Sequence, residues 1–235
     1  MRLPNEMVNM MDFDGLWAAA APHLDALFKD GSHRARKDRL RDIYETTETW
    51  WERYVDLIPG RTVRYLMITE APPWNAEYDS LQRVSTPVYA LNPERAISPM
   101  LRQCYRTFYP DTPCDDAQEA LRRIASKGFL LLDGLPFALS YRTSQRKRLP
   151  YLEIQRMALS SYAYPKLRSS GLAWSTDLRV IFGYKYHALA FIQASDGFMH
   201  LDGVHGSACI TVVKDHIIND NIMPGYKNMR KGFAL

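Results

Sequence analysis

At 235 residues, with 46% hydrophobic and 24% charged side chains, the chain has the composition of an ordinary globular domain, long enough to bury a core without disulfide or metal staples. Its three cysteines, Cys104, Cys114 and Cys209, form no C-x-x-C pair, which argues against a four-thiolate zinc or iron–sulfur centre and leaves them as reduced thiols; no run of about eighteen apolar residues marks a membrane span. The net charge of +4 is modest, but the cations are bunched in "RARKDRLR" (34–41), "YRTSQRKR" (141–148) and "YKNMRK" (226–231), the clustering that phosphate backbones select, although such runs also occur as solvated faces.

The N-terminal stretch "MRLPNEMVNMMDFDG" has neither a signal-peptide apolar core nor a small-residue cleavage site, so a cytoplasmic protein is expected. Residues 12–60 read as helical. Ile43, Thr47, Trp50, Tyr54 and Ile58 recur at helical spacing, Trp51 and Val55 widen the stripe, and Pro59-Gly60 ends it, so both tryptophans are core anchors first. Four short aliphatic runs follow: "RYLMIT" (64–69), "FLLLD" (129–133), "RVIFG" (179–183) and "CITVVK" (209–214). Runs this short, apolar on both faces and separated by helical segments, suit parallel strands covered on both sides. Between them, Ser98-Pro99 starts a helix over "MLRQCYRTF", Asp115 or Asp116 caps "AQEALRRIAS", Gly128 closes it, and Pro150 opens "YLEIQRMALSSY". The pattern predicts one domain, 1–235, with a helical part over 1–60 packed on an α/β/α three-layer sandwich whose sheet has four parallel strands.

Ligands of open parallel sheets bind beyond the carboxyl ends of the strands. There the chain places Thr69-Glu70, Asp133-Gly134, Gly183-Tyr184-Lys185 and Lys214-Asp215-His216. Glu70 is followed by Ala71-Pro72-Pro73-Trp74, which blocks an immediate helix and makes a rigid wall. Plainer roles exist for each: Asp133 as a helix cap, His216 as a loop histidine.

The order of "LMITEAPPW", "FLLLDGLP", "RVIFGYKYHAL" and "ITVVKDHIIND" resembles the uracil-DNA glycosylase superfamily over roughly residues 60–230. Thr69-Glu70-Ala71-Pro72-Pro73 is similar to its first motif in the Gly-Glu-Ala-Pro-Gly form, Asp133 falls where the second motif usually has asparagine, and Lys214-Asp215-His216 falls at the histidine-containing third motif. The chain departs from the pattern at Thr69 and Ala71 and lacks the His-Pro-Ser third motif and the four-cysteine ligation of some branches, which puts simple uracil excision in doubt.

The resemblance implies a monofunctional DNA glycosylase without metal or organic cofactor, acting as a monomer on DNA with no membrane partner. Glu70 would orient water and stabilise the cationic sugar, and His216 would donate to the leaving base. Asp133, Trp74, Tyr78 and Tyr89 are the base-binding candidates; any of the three aromatics also suits a core. Arg142, Arg146, Lys147 and Arg148, with Lys214, Lys227 and Arg230, are the candidate phosphate contacts, and Ile217, Ile218, Ile222 and Met223 the candidate wedge. An ionised aspartate only accepts hydrogen bonds, which favours an amino-bearing base, so a modified cytosine of foreign DNA is the expected target. Uracil excision and a catalytically silent nucleic-acid-binding protein are the alternatives. A nucleotide-binding enzyme of another kind is weakened by the lack of G-x-G-x-x-G and G-x-x-x-x-G-K-[ST], and no G-x-S-x-G elbow supports a serine hydrolase.

Overall fold

The computed structural model describes residues 11–72, 89, 97–183, 185–194, 198–203, 206–211 and 225–235. The N-terminal region is helical as expected but in three pieces: α1 (Phe13–Leu27), a short α2 (Ser32–Ala35) and α3 (Lys37–Val55). Asp12 caps α1 by accepting from the Gly15 amide at 2.8 Å. The break falls at Lys29-Asp30-Gly31, where Gly31 takes a left-handed conformation (φ 70°) that a side chain would disfavour.

Strands β1 (Thr62–Thr69), β2 (Phe129–Asp133) and β3 (Ala173–Phe182) form a parallel sheet in the order β2-β1-β3. All five residues of β2 are buried, as an aliphatic run without alternation requires. Although β2 lies at the edge of this sheet, its outward carbonyls are satisfied. Trp51 Nε1 donates to the Leu131 carbonyl (2.8 Å) and the Tyr54 hydroxyl to the Phe129 carbonyl (2.6 Å), so one face of α3 closes the sheet edge. The buried stripe of α3 is therefore centred on Trp51, 1% exposed, and Trp50 sits half-buried at its border.

Helix α4 (Pro99–Phe108) starts on Ser98, whose Oγ accepts from the Leu101 amide at 3.1 Å, and α5 (Ala117–Ala125) starts on Asp116, which accepts from the amides of Gln118 and Glu119. After β2 come α6 (Thr143–Arg146), α7 (Leu149–Ala158), a wider π turn at Leu159–Ala163 and α8 (Tyr164–Ser169); α9 (Lys185–Ala194) follows β3 and α10 (Tyr226–Phe233) comes last. Among the described residues the parallel sheet has three strands, not the expected four. Residues 206–211, which contain the start of the predicted fourth strand, instead form β5 (Gly206–Thr211), antiparallel to β4 (Phe198–Gly203) in a separate two-stranded sheet. The pairing closes at Gly203↔Gly206, and a two-residue connection joins antiparallel strands, whereas a parallel return needs a long crossover.

Candidate functional site

The register Thr69↔Asp133 brings the carboxyl ends of β1 and β2 to one level. The chain stays paired just beyond them, with the Gly134 amide on the Thr69 carbonyl (3.0 Å) and the Leu135 amide on the Glu70 carbonyl (2.8 Å). Consecutive residues of an extended strand face opposite ways, so Thr69 and Asp133 serve one face and Glu70 and Gly134 the other. Two polar clusters result, and no hydrogen bond between described residues joins them.

The first is built on Glu70. Arg146 Nε donates to Glu70 Oε1 and Arg146 Nη2 to Oε2, both at 2.5 Å, and the Tyr151 hydroxyl donates to Oε1 at 2.5 Å. The side chains of Arg146 and Glu70 are 4% and 13% exposed. A planar guanidinium on a carboxylate is the strong, two-pronged form of ion pair, and burial makes it orienting as well as attractive. A carboxylate has about four acceptor positions. Among the described residues Oε1 accepts from two donors and Oε2 from one, which leaves an acceptor position on Oε2.

His187 of α9 belongs to the same cluster. It is fully buried, and Gln155 Nε2 of α7 lies 2.9 Å from its Nδ1. Burial, with the Arg146 charge as a second cause, pushes its pKa down to about 3, so the ring is neutral at physiological pH. With the Gln155 amide nitrogen donating to Nδ1, the ring proton sits on Nε2. That N–H is buried and has no hydrogen-bond partner among the described residues. A Cβ at Gly134 would lie 2.9 Å from both Cε1 and Nε2, so only glycine lets the imidazole approach the end of β2 this closely.

The second cluster surrounds Asp133, which is 4% exposed. The Thr69 hydroxyl donates to Oδ1 and the Tyr89 hydroxyl to Oδ2, the latter at 2.5 Å. Burial raises the Asp133 pKa and the two hydroxyls lower it, with burial the larger effect. The charges of Lys166 and Glu48 also act on it. Lys166 Nζ lies 2.7 Å from Glu48 Oε1, donates to the Tyr162 hydroxyl at 3.0 Å and sits 4.4 Å from the centre of the Trp51 ring. The Tyr162 hydroxyl in turn donates to Glu48 at 2.9 Å. A buried ammonium thus has a carboxylate, a hydroxyl and an aromatic face, which together offset its desolvation.

Of the residues singled out in the sequence, Glu70 and Asp133 lie at adjacent strand ends, and Tyr89 joins Asp133. Trp74, Tyr78, Lys214 and His216, like Ile217, Ile218, Ile222 and Met223, lie outside the described residues. Arg142, Lys147 and Arg148 are exposed around α6, with Lys147 Nζ 5.4 Å from the Tyr186 ring centre. Arg146 is corrected: it is not a surface phosphate contact, because its guanidinium is buried on Glu70. Lys227 is exposed on α10, and Arg230, half-buried there, donates to the Thr107 carbonyl at 2.8 Å. Arg230 shares a cleft with Thr62 and Arg64 at the start of β1, so it lies at the opposite end of the sheet from Glu70.

Three residues of the Glu70 cluster escaped the sequence: Tyr151, Gln155 and His187. Tyr151 and Gln155 stand one helical turn apart in the buried stripe Tyr151, Ile154, Gln155, Ala158 of α7. An amide in an otherwise apolar stripe was the available signal, as was a histidine opening the apolar run "HALAFI". Comparison of the chain with protein-family models, curated proteins and solved structures finds no match.

Proposed function

We propose that the chain is a DNA glycosylase that hydrolyses the N-glycosidic bond of an extruded base, with a modified cytosine of foreign DNA as the substrate and an abasic site as the product. The observation that carries this is the Glu70 carboxylate, held at the end of a parallel strand by Arg146 and Tyr151 with one acceptor position of Oε2 open. A water on that position would bond through its oxygen to C1′ as the bond from C1′ to the base nitrogen breaks, the water's proton passing to the Glu70 carboxylate and then through solvent to the departing base nitrogen. The fixed carboxylate would stabilise the cationic sugar without reorganising. The Nε2–H of His187, buried and unpaired beside the same cluster, is a donor of the kind a departing, electron-rich base needs. Asp133 keeps one acceptor position on each oxygen after Thr69 and Tyr89 are counted, and these suit an exocyclic amino group. The same proposal includes action as a cytoplasmic monomer and no cofactor.

A second possibility, a nucleic-acid-binding protein without catalysis, is favoured by one feature: the Arg146 guanidinium neutralises Glu70 as a purely structural ion pair would. One experiment separates them. DNAs bearing uracil, hydroxymethylated or glucosylated cytosine, or ordinary cytosine are incubated with the protein, and free base and alkali-labile breaks are measured. The glycosylase predicts free modified cytosine, breaks lost in Glu70→Gln with DNA binding kept, and a changed base preference in Asp133→Asn. Retained binding with no base released from any of the DNAs selects the silent protein.

A further inference from the structure

Helices α4 and α10 pack against each other and carry five cations, Arg102, Arg106, Lys227, Arg230 and Lys231, and not one carboxylate. The pair is rigidly tied. The Tyr226 amide donates to Gln103 Oε1 at 2.9 Å, the Arg106 guanidinium lies 4.0 Å from the Tyr226 ring centre, and Met229 and Phe233 are buried. Lys227, Arg230 and Lys231, three and four residues apart, share one face of α10. Among the described residues none of the five cations is ion-paired. Beside this face opens a cleft of about 580 Å³ whose walls include Arg64, Lys127, Arg230 and the rings of Tyr65 and Phe108. Of the cations on the cleft wall, Arg64 is ion-paired with Asp177 at 2.9 Å, and Leu235 lines the cleft beside Arg230.

We propose that the α4–α10 face and its cleft bind the phosphate backbone of single-stranded nucleic acid, at the end of the sheet opposite Glu70. This rests on nucleic acid being the partner but not on base excision. A cationic groove with aromatic walls is what a strand requires, since phosphates meet the cations while a base packs on a ring. The cleft volume lies within the range of small-molecule sites and is too small to hold a duplex. A lipid surface fits less well, because the apolar residues of α10, Met229 and Phe233, are turned into the core and, among the described residues beside it, Leu235 is the single exposed large apolar side chain. From Tyr65, the last β1 residue on the cleft wall, the chain runs five residues to Glu70, about 17 Å at ~3.3 Å per residue. A strand long enough to touch both ends would be gripped at two separate places.

The test is the salt dependence of binding of a fluorescein-labelled single-stranded oligonucleotide to the full chain. Lys227→Ala/Lys231→Ala removes two exposed cations of α10, and Arg142→Ala/Lys147→Ala removes two at the other end, Lys147 together with its contact to the Tyr186 ring. The α10 pair is expected to lower the slope of log K against log salt by about 1.4, at ~0.7 per phosphate contact on a single strand. An unchanged slope overturns the proposal. So does loss of binding to phosphatidylserine vesicles in the α10 variant with oligonucleotide binding intact, which assigns the face to a lipid surface. Base release is not read in this assay. A lowered slope in a protein that releases no base sustains this surface and ends the glycosylase, and an unchanged slope in one that does release base has the opposite meaning.

Discussion

Arg146→Ala is the most informative single change, because it leaves Glu70 buried without its counter-ion. The pair has side-chain exposures of 4% and 13% and two hydrogen bonds of 2.5 Å, so solvent cannot replace the guanidinium without opening the site. Removing one partner of a buried pair costs about 3–5 kcal/mol, against total stabilities of roughly 5–15 kcal/mol. With an unfolding entropy of about 2.1 cal/mol/K per residue, the chain of 235 residues unfolds with roughly 0.5 kcal/mol/K, so Tm falls by about 6–10 °C. Replacing the whole constellation by apolar groups, Glu70→Leu/Arg146→Met/Tyr151→Phe, should recover most of that loss, since no buried polar atom is then left unpaired. Urea unfolding by linear extrapolation measures both, with the m-value as the check that only stability changed. A loss below about 1 kcal/mol for Arg146→Ala would show that the pair is solvated, and the preorganised carboxylate would go with it.

His187 makes a pH prediction. Its native pKa of about 3 lies below the unfolded value near 6.5, so between these limits the unfolded chain binds a proton that the native chain refuses. Stability therefore rises with pH in that window, and as pH falls it is lost at up to about 1.4 kcal/mol per unit. Between pH 5 and 6.5 wild type should lose stability more steeply than His187→Gln, and parallel slopes would contradict a buried neutral ring. Gly134→Ala places a Cβ 2.9 Å from the His187 ring and should lower base release more than it lowers Tm, measured side by side. Trp51→Phe leaves the Leu131 carbonyl on the sheet edge without its donor and should cost about 1–3 kcal/mol in urea unfolding, with the far-UV spectrum unchanged.

What was legible in the sequence was local. The aliphatic runs of β1 and β2 stand out because strands buried on both faces have no alternation to hide them, and Ser98 and Asp116 announce their helices because a cap acts within three residues. The antiparallel pairing of β4 and β5 is not foreseen although "DGVHG" carries two glycines between the strands, because the apolarity of "CITVVK" fits a buried parallel strand equally well. Trp50 and Trp51 are indistinguishable by periodicity; the choice is made by a carbonyl of β2 that lies 80 residues away.

The Glu70 cluster follows the same rule at higher stakes. Its five members come from the end of β1 and from α6, α7 and α9, and four of them break their local pattern: an acid just after an aliphatic strand, an arginine buried within a basic block, an amide in an apolar stripe, a histidine at the head of an apolar run. Such violations can be read one residue at a time. Their pairing cannot, because Arg146 meets Glu70 across 76 positions and Gln155 meets His187 across 32, and nothing in either neighbourhood names its partner. A basic block therefore looks uniformly solvated until the fold selects one guanidinium for the interior and leaves Arg142, Lys147 and Arg148 to the surface. The residues worth testing in such a chain are those that defy their own secondary structure, since a fold pairs most of its buried polar groups, and one left unanswered, as at His187 Nε2, marks a place where a ligand group can answer it.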